Sequence, residues 1–184
     1  CEDYGVSQWL ADLRELAGSG EQLGVDNIMG IEIFNEPYDY SWSEWRSLID
    51  QAYDAINPVN SNILIFAGGI GPMNNSETAD SPHGAEETTP NWGENLYEAG
   101  GNPPAMPKDR LVYCPHAFGP SMYVQTQFMD PDQPGCEGFE GDRAGDEKYN
   151  IVINPVLLEQ GWEEHFGYLK DLGYAIVIGA FGGN

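Results

Sequence analysis

Residues 28–67 read IMGIEIFNEPYDYSWSEWRSLIDQAYDAINPVNSNILIFA, and this stretch decides the fold class. It opens and closes with short apolar runs rich in β-branched residues, Ile28–Phe34 and Asn62–Ala67, which predict buried strands. Between them Ser41 and Glu44 match a capping box, and an apolar stripe at helical spacing follows until the next proline. The succession of strand, helix and strand predicts a βα unit with a parallel sheet.

The same alternation extends on both sides of this stretch. A helical pattern begins at Val6 and is expected to stop at Gly18-Ser19-Gly20. Two more strands are predicted at Arg110–His116 and Tyr174–Gly179, and Asn154-Pro155 opens a helix before the last one. Continuous apolar strands predict a parallel sheet that is covered on both faces. Four such strands could form a small doubly wound sheet or half of a (β/α)8 barrel, and in both the functional residues gather at the carboxyl ends of the strands.

The composition limits the classes of function. The chain has 30 acidic residues against 7 Lys and Arg, a net charge of −23, which repels nucleic acid and anionic membranes but suits a neutral partner such as a sugar. No apolar stretch is long enough to span a membrane, and no signal peptide is visible, so any targeting segment was removed or was never included. Four acidic loop residues could offer ligands to calcium: Asp130, Asp132, Asp142 and Asp146. Their spacing matches no standard calcium-binding loop, so we expect no metal site.

The three cysteines leave two interpretations open. Cys114 and Cys136 flank one loop and could form a disulfide, which leaves Cys1 without a partner in this chain and favours secretion. The other interpretation is three free thiols in a reducing compartment. Asn74 begins an Asn-Asn-Ser glycosylation sequon in a polar loop, which also favours a secreted, extracellular protein.

Polar residues stand at the ends of the predicted strands. Asn35 and Glu36 follow the first strand, where a partly buried carboxyl group could donate a proton and an amide could bind a sugar hydroxyl; an ordinary Asn-Glu-Pro turn is the alternative. Glu32, inside that strand, is expected to form a structural pair or a polar layer. His116 ends the third strand and could orient a carboxylate or a sugar hydroxyl, although a lone histidine is more often a hydrogen-bonded structural residue. Tyr123, in the following loop, could reach the same site or could pack within its loop.

Several blocks of the sequence together resemble glycoside hydrolase family 5, in particular its bacterial-type endoglucanases. The block that begins GIEIFNEP at residues 30–69 is similar to the family's acid/base strand with the next helix and strand, and NWGENLYEAG at 91–100 to its W-G-x-N-L loop. DRLVYCPHAFGPSMYVQTQF at 109–128 is similar to its strand-six block, and GWEEHFGYLKDLGYAIVIGAFGG at 161–183 to its last helix and nucleophile strand. The resemblance implies an α/β fold, the (β/α)8 TIM barrel, with these strands as the fourth to the seventh and residues 1–184 as a partial catalytic domain.

The resemblance also implies roles for individual residues. Glu36 is then the general acid/base of a retaining endohydrolase of β-1,4-glucan, and Asn35 hydrogen-bonds the sugar 2-hydroxyl. His116 is the strand-six histidine of the active site, and Trp92 either stacks on a glucose ring or packs within its loop. The implied partner is a β-glucan oligosaccharide or polysaccharide, and the implied chemistry needs no cofactor.

Three departures from the family pattern affect the expected activity. Ala180 stands where the family has its nucleophilic glutamate, and a methyl group cannot attack the anomeric carbon, so double displacement should be lost. This alanine is either an engineered change or the mark of a natural non-catalytic homologue, a carbohydrate-binding or extracellular structural or filament protein. Phe118 replaces the tyrosine that would hydrogen-bond the nucleophile. The family's first three strands and its last have no counterpart here, so we expect self-association or a missing remainder of the barrel to cover the strand edges.

Overall fold

In the computed structural model the described residues are 5–71, 90–119, 122 and 155–183. Within these ranges, no helix is both long enough and apolar enough to cross a membrane. The helices and strands of the described part are, in chain order, α1 (Val6–Leu23), β1 (Gly30–Glu32), α2 (Trp42–Ile56), β2 (Leu64–Ala67), a 3-10 helix (Lys108–Arg110), β3 (Leu111–Tyr113), β4 (His116–Phe118), α3 (Pro155–His165), a 3-10 helix (Gly167–Lys170), β5 (Ala175–Ile176) and β6 (Ala180–Gly182).

The strands form a parallel arrangement, as the sequence predicts. β1, β2, β3 and β5 make one sheet in that order, and every neighbouring pair in it is parallel. β4 and β6 form a second parallel pair. This pair continues the first sheet, because the N–H of Val177 donates to the Tyr113 carbonyl and the N–H of Gly179 to the Pro115 carbonyl, each at 2.9 Å. The carboxyl ends of the strands therefore lie at one edge.

The third and fourth strands are interrupted, and each runs beyond its predicted end, since the predicted ranges are Arg110–His116 and Tyr174–Gly179. The third consists of β3 and β4, separated by Cys114 and Pro115, and a proline has no N–H with which to continue the strand ladder. The fourth consists of β5 and β6, separated by residues 177–179. Because pairing resumes after each interruption, His116 and Ala180 still lie at the carboxyl end of the sheet.

Helix α2 begins where the capping box predicts. The Ser41 hydroxyl accepts from the N–H of Glu44 at 3.3 Å, and the Glu44 carboxylate accepts from the N–H of Ser41 at 2.9 Å. These bonds satisfy N–H groups that a helix terminus otherwise leaves unpaired. The predicted apolar stripe is buried, with Trp45, Ile49 and Ala52 in the core.

Helix α1 is longer than predicted. The expected stop at Gly18-Ser19-Gly20 is wrong, because the helix continues to Leu23 and ends at Gly24, whose φ of 68° lies in the left-handed region that favours glycine. Gly20 serves close packing instead, since a Cβ there would lie 3.1 Å from the Val25 carbonyl oxygen.

The core lies where α1 and α2 meet the sheet. Two tryptophans from these helices reach the carboxyl ends of the strands. Trp9 Nε1 donates to the Ile33 carbonyl at 2.8 Å, and Trp45 Nε1 donates to the Gly68 carbonyl at 3.0 Å. These bonds hold the segments that follow β1 and β2 against the helices, and those segments lead into the candidate site.

The other face of the sheet is less covered than predicted. Burial alternates along β2, where Ile65 and Ala67 are buried and their neighbours are half-buried. Residues with period-two spacing share one face of a strand, so within the described residues this strand is fully buried on one face only. Met29, just before β1, is 67% exposed, and Val177, just after β5, is 49% exposed. β3, in contrast, is buried at all three of its positions and therefore on both faces. The predicted coverage of both faces is thus confirmed for β3, whereas β2 and the segments next to β1 and β5 are less covered among the described residues.

Candidate active site

Glu36 and His116 are in contact at the carboxyl end of the sheet. Glu36 Oε1 and His116 Nδ1 lie 2.8 Å apart, although the two residues are 80 positions apart in the sequence. The histidine side chain is 4% exposed and the glutamate side chain 27%, so the carboxyl group is the partner that a ligand can reach. An ionised carboxylate accepts a hydrogen bond from Nδ1, whereas a protonated carboxyl group can donate to it. The pair can therefore keep its hydrogen bond in either protonation state of Glu36.

A second carboxylate lies near the same imidazole ring. Glu32 Oε1 is 3.5 Å from His116 Nε2, so the expected structural partner of Glu32 is this histidine. Glu32 also affects Cys114, because burial first and the nearby carboxylate second raise the pKa of that thiol. His116 is thus held between carboxylates from the strand β1 and from the turn after it.

Glu36 has an unusual backbone conformation. Its φ of 45° lies in the left-handed region, which is uncommon for a residue other than glycine and is further disfavoured before a proline. Such conformations cost about 1–3 kcal/mol and occur often at functional sites. The turn is held in part by the Pro37 carbonyl, which accepts from the N–H of Gly71 at 2.6 Å. The fold therefore maintains a strained turn that aims Glu36 at His116.

Gly93 brings a second loop against this pair. Its carbonyl accepts from the N–H of Gly69 at 2.8 Å and from the N–H of His116 at 3.3 Å. A Cβ at position 93 would lie 3.0 Å from His116 Cγ and 3.2 Å from Glu36 Cγ, and its φ of 78° is also one that favours glycine. The loop that carries Gly93 therefore forms a wall of the site, and only glycine fits at the point of contact.

Trp92 lies beside the site together with Tyr38. The two rings are 5.3 Å apart between centroids and tilted by 36°. Both side chains remain accessible, since Trp92 is 44% exposed and Tyr38 51%. A pair of exposed aromatic rings in contact offers an apolar surface on which a sugar ring could stack.

Ala180 belongs to the same region of the structure. It is the partner of His116 in the β4–β6 ladder and is half-buried. Paired residues of adjacent parallel strands lie about 4.8 Å apart and project on the same face, so the Ala180 methyl lies next to the histidine. The ring of Phe118 meets the His116 ring edge to face at 6.0 Å. His116 therefore connects position 180 to Glu36.

The remaining predicted site residues are not brought to this cluster by any described contact. Asn35 is exposed and precedes Glu36 in the chain. Tyr123 and Asn74 lie outside the described residues, so sugar contact and glycosylation there stay predictions. Cys114 is a buried free thiol within the described part of the chain, and Cys136 lies outside it, so their pairing is not tested.

The described residues contain no group of three or more His, Cys, Asp or Glu side chains that could hold a metal ion. The acidic loop residues considered for calcium, from Asp130 to Asp146, lie outside the described ranges.

Several residues of the site were missed by sequence reasoning. Tyr38 follows the Asn-Glu-Pro turn directly, and an aromatic residue so close to Glu36 was an available signal. Gly93 lies between Trp92 and Glu94 in the segment that resembles the family's W-G-x-N-L loop. Its close approach to His116 could not be predicted from the sequence alone. The same holds for a buried Glu94–His165 contact, whose two residues are 71 positions apart.

The chain is similar to known proteins both in sequence and in structure. The profile of the cellulase family (glycosyl hydrolase family 5) matches residues 4–184. Endoglucanase C of Cellvibrio japonicus (strain Ueda107) is 58% identical over 98% of this chain and 25% of its own length. The catalytic domain of the major endoglucanase from Xanthomonas campestris pv. campestris has a TM-score of 0.72 and 26% identity, over 100% of this chain and 46% of that one. A cellotetraose complex of the endocellulase from Pyrococcus horikoshii, carrying a tyrosine-to-phenylalanine change, has a TM-score of 0.74 and 28% identity, over 100% of this chain and 47% of that one.

The chain thus spans about a quarter of the length of Endoglucanase C and under half of each of these two solved chains. Its parallel strands and its structural neighbours confirm the predicted fold, a part of a (β/α)8 barrel, over the alternative of a separate doubly wound sheet. The chain belongs to glycosyl hydrolase family 5, the cellulase family.

Proposed function

We propose that the complete polypeptide that carries this chain is built to cleave internal β-1,4 bonds of glucans such as cellulose, by a retaining double displacement. The observation that carries the proposal is the hydrogen bond between Glu36 and His116 at the carboxyl end of the sheet, with position 180 paired to that histidine. The names of the relatives, which are endoglucanases, and the cellotetraose bound to the Pyrococcus horikoshii endocellulase support a cello-oligosaccharide as the ligand.

In this proposal Glu36 is the general acid and then the general base. It first protonates the oxygen of the leaving sugar and later takes a proton from the water that attacks the anomeric carbon. His116 stabilises the ionised form by donating from Nδ1, and the strained turn keeps the carboxyl group in place. Asn35 binds the 2-hydroxyl of the sugar, and the rings of Trp92 and Tyr38 provide a stacking surface. No cofactor is required by this chemistry.

Position 180 is the place of the nucleophile. Retaining enzymes hold their two carboxyl groups about 5 Å apart, and the nucleophile forms a covalent bond to the anomeric carbon. The methyl group of Ala180 cannot form that bond, so we propose that the protein with alanine at this position binds cello-oligosaccharides without turning them over.

The test is the change Ala180→Glu in the complete polypeptide. We expect this variant to hydrolyse a soluble cellulose derivative with retention of the anomeric configuration. NMR of the first products measures that configuration. Ala180→Gln is the matched control, because it has nearly the same size but no nucleophilic carboxylate, and it should stay inactive. If folded Ala180→Glu protein shows no turnover, the catalytic proposal is wrong.

A second candidate function is that of a naturally non-catalytic homologue, a carbohydrate-binding or extracellular structural protein. The observation that favours it is that both Ala180 and Phe118 depart from the residues expected around the nucleophile, and both flank His116. The genomic sequence distinguishes the two: an encoded alanine at position 180 supports this candidate, and an encoded glutamate excludes it. Both candidates include an extracellular location, because a polysaccharide ligand lies outside the cell.

A further inference from the structure

We propose that the buried pair of Glu94 and His165 is a positioning device. It fixes the turn 91–94, and this turn places Trp92 and Gly93 against the Glu36–His116 pair. The pair acts on the site only through the turn. Both side chains are 0% exposed, so neither residue is proposed to touch the ligand. The ligand-binding part of the inference rests on the proposed function, and the geometric part does not.

The Glu94 carboxylate is satisfied on both of its oxygens. Oε1 lies 2.6 Å from His165 Nδ1, and both side chains are 0% exposed. Oε2 accepts from the N–H of Asn91 at 2.8 Å. A buried carboxylate is costly unless each oxygen has a partner, so the side chain must keep its length and direction. One carboxylate therefore joins the first residue of the turn to the last residue of helix α3.

The turn 91–94 is closed and tied to the strands. The N–H of Glu94 donates to the Asn91 carbonyl at 3.0 Å, and Asn91 Nδ2 donates to the Phe118 carbonyl at 3.2 Å. The N–H of Leu96 donates to the His165 carbonyl at 3.0 Å, which adds a backbone link to the end of α3. The turn is thus held from the strand side and from the helix side.

The two residues between Asn91 and Glu94 face the site. Trp92 contacts Tyr38, and Gly93 approaches both His116 and Glu36 so closely that no side chain fits. Glu94 is buried on the helix side of the same turn. A change in the length of this anchor should therefore move Trp92 and Gly93 relative to Glu36, whereas a change that keeps its length should not.

The experiment compares Glu94→Asp with Glu94→Gln in the complete polypeptide. Asp keeps the charge but is one methylene shorter, so it cannot reach both Asn91 N and His165 Nδ1. Gln keeps the length: its carbonyl can accept from Asn91 N and its amide can donate to His165 Nδ1. Glu44→Gln is the matched control, because it weakens the exposed capping box of α2 and leaves the turn untouched.

The first readout is the 19F resonance of Trp92 in protein labelled with fluorotryptophan, assigned with Trp92→Phe. We expect Glu94→Asp to shift or broaden it, and Glu94→Gln and Glu44→Gln to leave it near its parental position. The second readout is the dissociation constant of cellotetraose by calorimetry. We expect an increase of about tenfold for Glu94→Asp and less than about twofold for Glu94→Gln, because misplacement of binding groups by about 1 Å is costly.

The melting temperature of each variant separates positioning from stability. The inference would be overturned if Glu94→Asp and Glu94→Gln changed the Trp92 signal alike, in proportion to their loss of melting temperature. An unchanged Trp92 signal in folded Glu94→Asp would also overturn it. If the parent does not bind cellotetraose, the proposed function fails, while the Trp92 signal still decides the positioning role.

Should Glu94→Asp not fold, the same comparison is made between His165→Asn, whose amide can take the place of Nδ1, and His165→Leu, whose side chain cannot.

Discussion

Glu36 Oε1 and His116 Nδ1 lie 2.8 Å apart, and the backbone of Gly93 packs against both side chains. Three segments of the chain therefore meet at one carboxyl group: the turn after β1, the start of β4 and the turn 91–94. Since Glu36 is partly exposed and His116 is buried, the arrangement presents one accessible acid on a rigid support. This arrangement supports the general acid/base role that we propose for Glu36.

The first prediction concerns the acid itself. In the Ala180→Glu background, Glu36→Gln should lower kcat on a soluble cellulose derivative by about 10²–10⁴-fold, because the amide cannot transfer a proton to the leaving oxygen. His116→Asn should lower kcat by about 10²-fold or less, since it disturbs the position of Glu36 but leaves the carboxyl group present. Steady-state kinetics on purified variants measure both. A Glu36→Gln variant with parental kcat would exclude Glu36 as the acid.

The second prediction concerns the contact of Gly93 with the site. Gly93→Ala places a methyl group 3.0 Å from His116 Cγ at a φ of 78°, so we expect the free energy of unfolding to fall by about 1–3 kcal/mol. Gly101→Ala is the matched control, because the nearest atom to its Cβ is 4.0 Å away, and it should change stability by less than about 1 kcal/mol. Denaturant unfolding compares the two. Equal losses for both variants would show that position 93 is not tightly packed.

The third prediction concerns the exposed aromatic pair. Trp92→Ala and Tyr38→Ala should each weaken the binding of cellotetraose by about 0.5–1.5 kcal/mol, because each removes part of the stacking surface. Trp162→Ala provides the control, since Trp162 is 39% exposed on α3 and the described ring contact of this pair joins only Tyr38 and Trp92. Calorimetry with the Ala180 protein measures binding without turnover. Parental affinity in both Trp92→Ala and Tyr38→Ala would remove the pair from the binding surface.

The fourth prediction concerns stability at high pH. Burial raises the pKa of Tyr113 far above its usual value of 10.0, and its hydroxyl has no hydrogen-bond partner within the described part of the chain. The unfolded chain therefore loses this proton at a lower pH than the folded protein, so stability is lost as the pH rises above about 10. Burial raises the pKa of Cys114 and Tyr168 as well, in the same direction.

Tyr113→Phe tests this interpretation. The variant should be as stable as the parent or more stable at pH 7, because it loses an unpaired buried hydroxyl. Its free energy of unfolding should also fall less steeply between pH 9 and pH 11, measured by denaturant unfolding at several pH values. A slope equal to that of the parent would show that Tyr113 is not the group that titrates.

The sequence alone was sufficient for features that depend on neighbouring residues. The order of helices and strands follows from apolar periodicity, and the start of α2 follows from Ser41 and Glu44, which lie within one turn of each other. The position of Glu36 after a strand was likewise local information. The stop predicted for α1 is wrong because the glycine that takes the left-handed conformation and ends the helix is Gly24, after which the N–H of Val25 donates to the Gly20 carbonyl.

The tertiary structure alone decided which side chains meet. Glu36 and His116 are 80 positions apart, and Glu94 and His165 are 71 positions apart, so their contacts depend on the register of the strands and on where α3 ends. Gly93 shows the same limit, since its need for glycine comes from the approach of His116 and Glu36. Local periodicity determines the elements of this chain, whereas the distances between its reactive groups arise only when distant elements pack together.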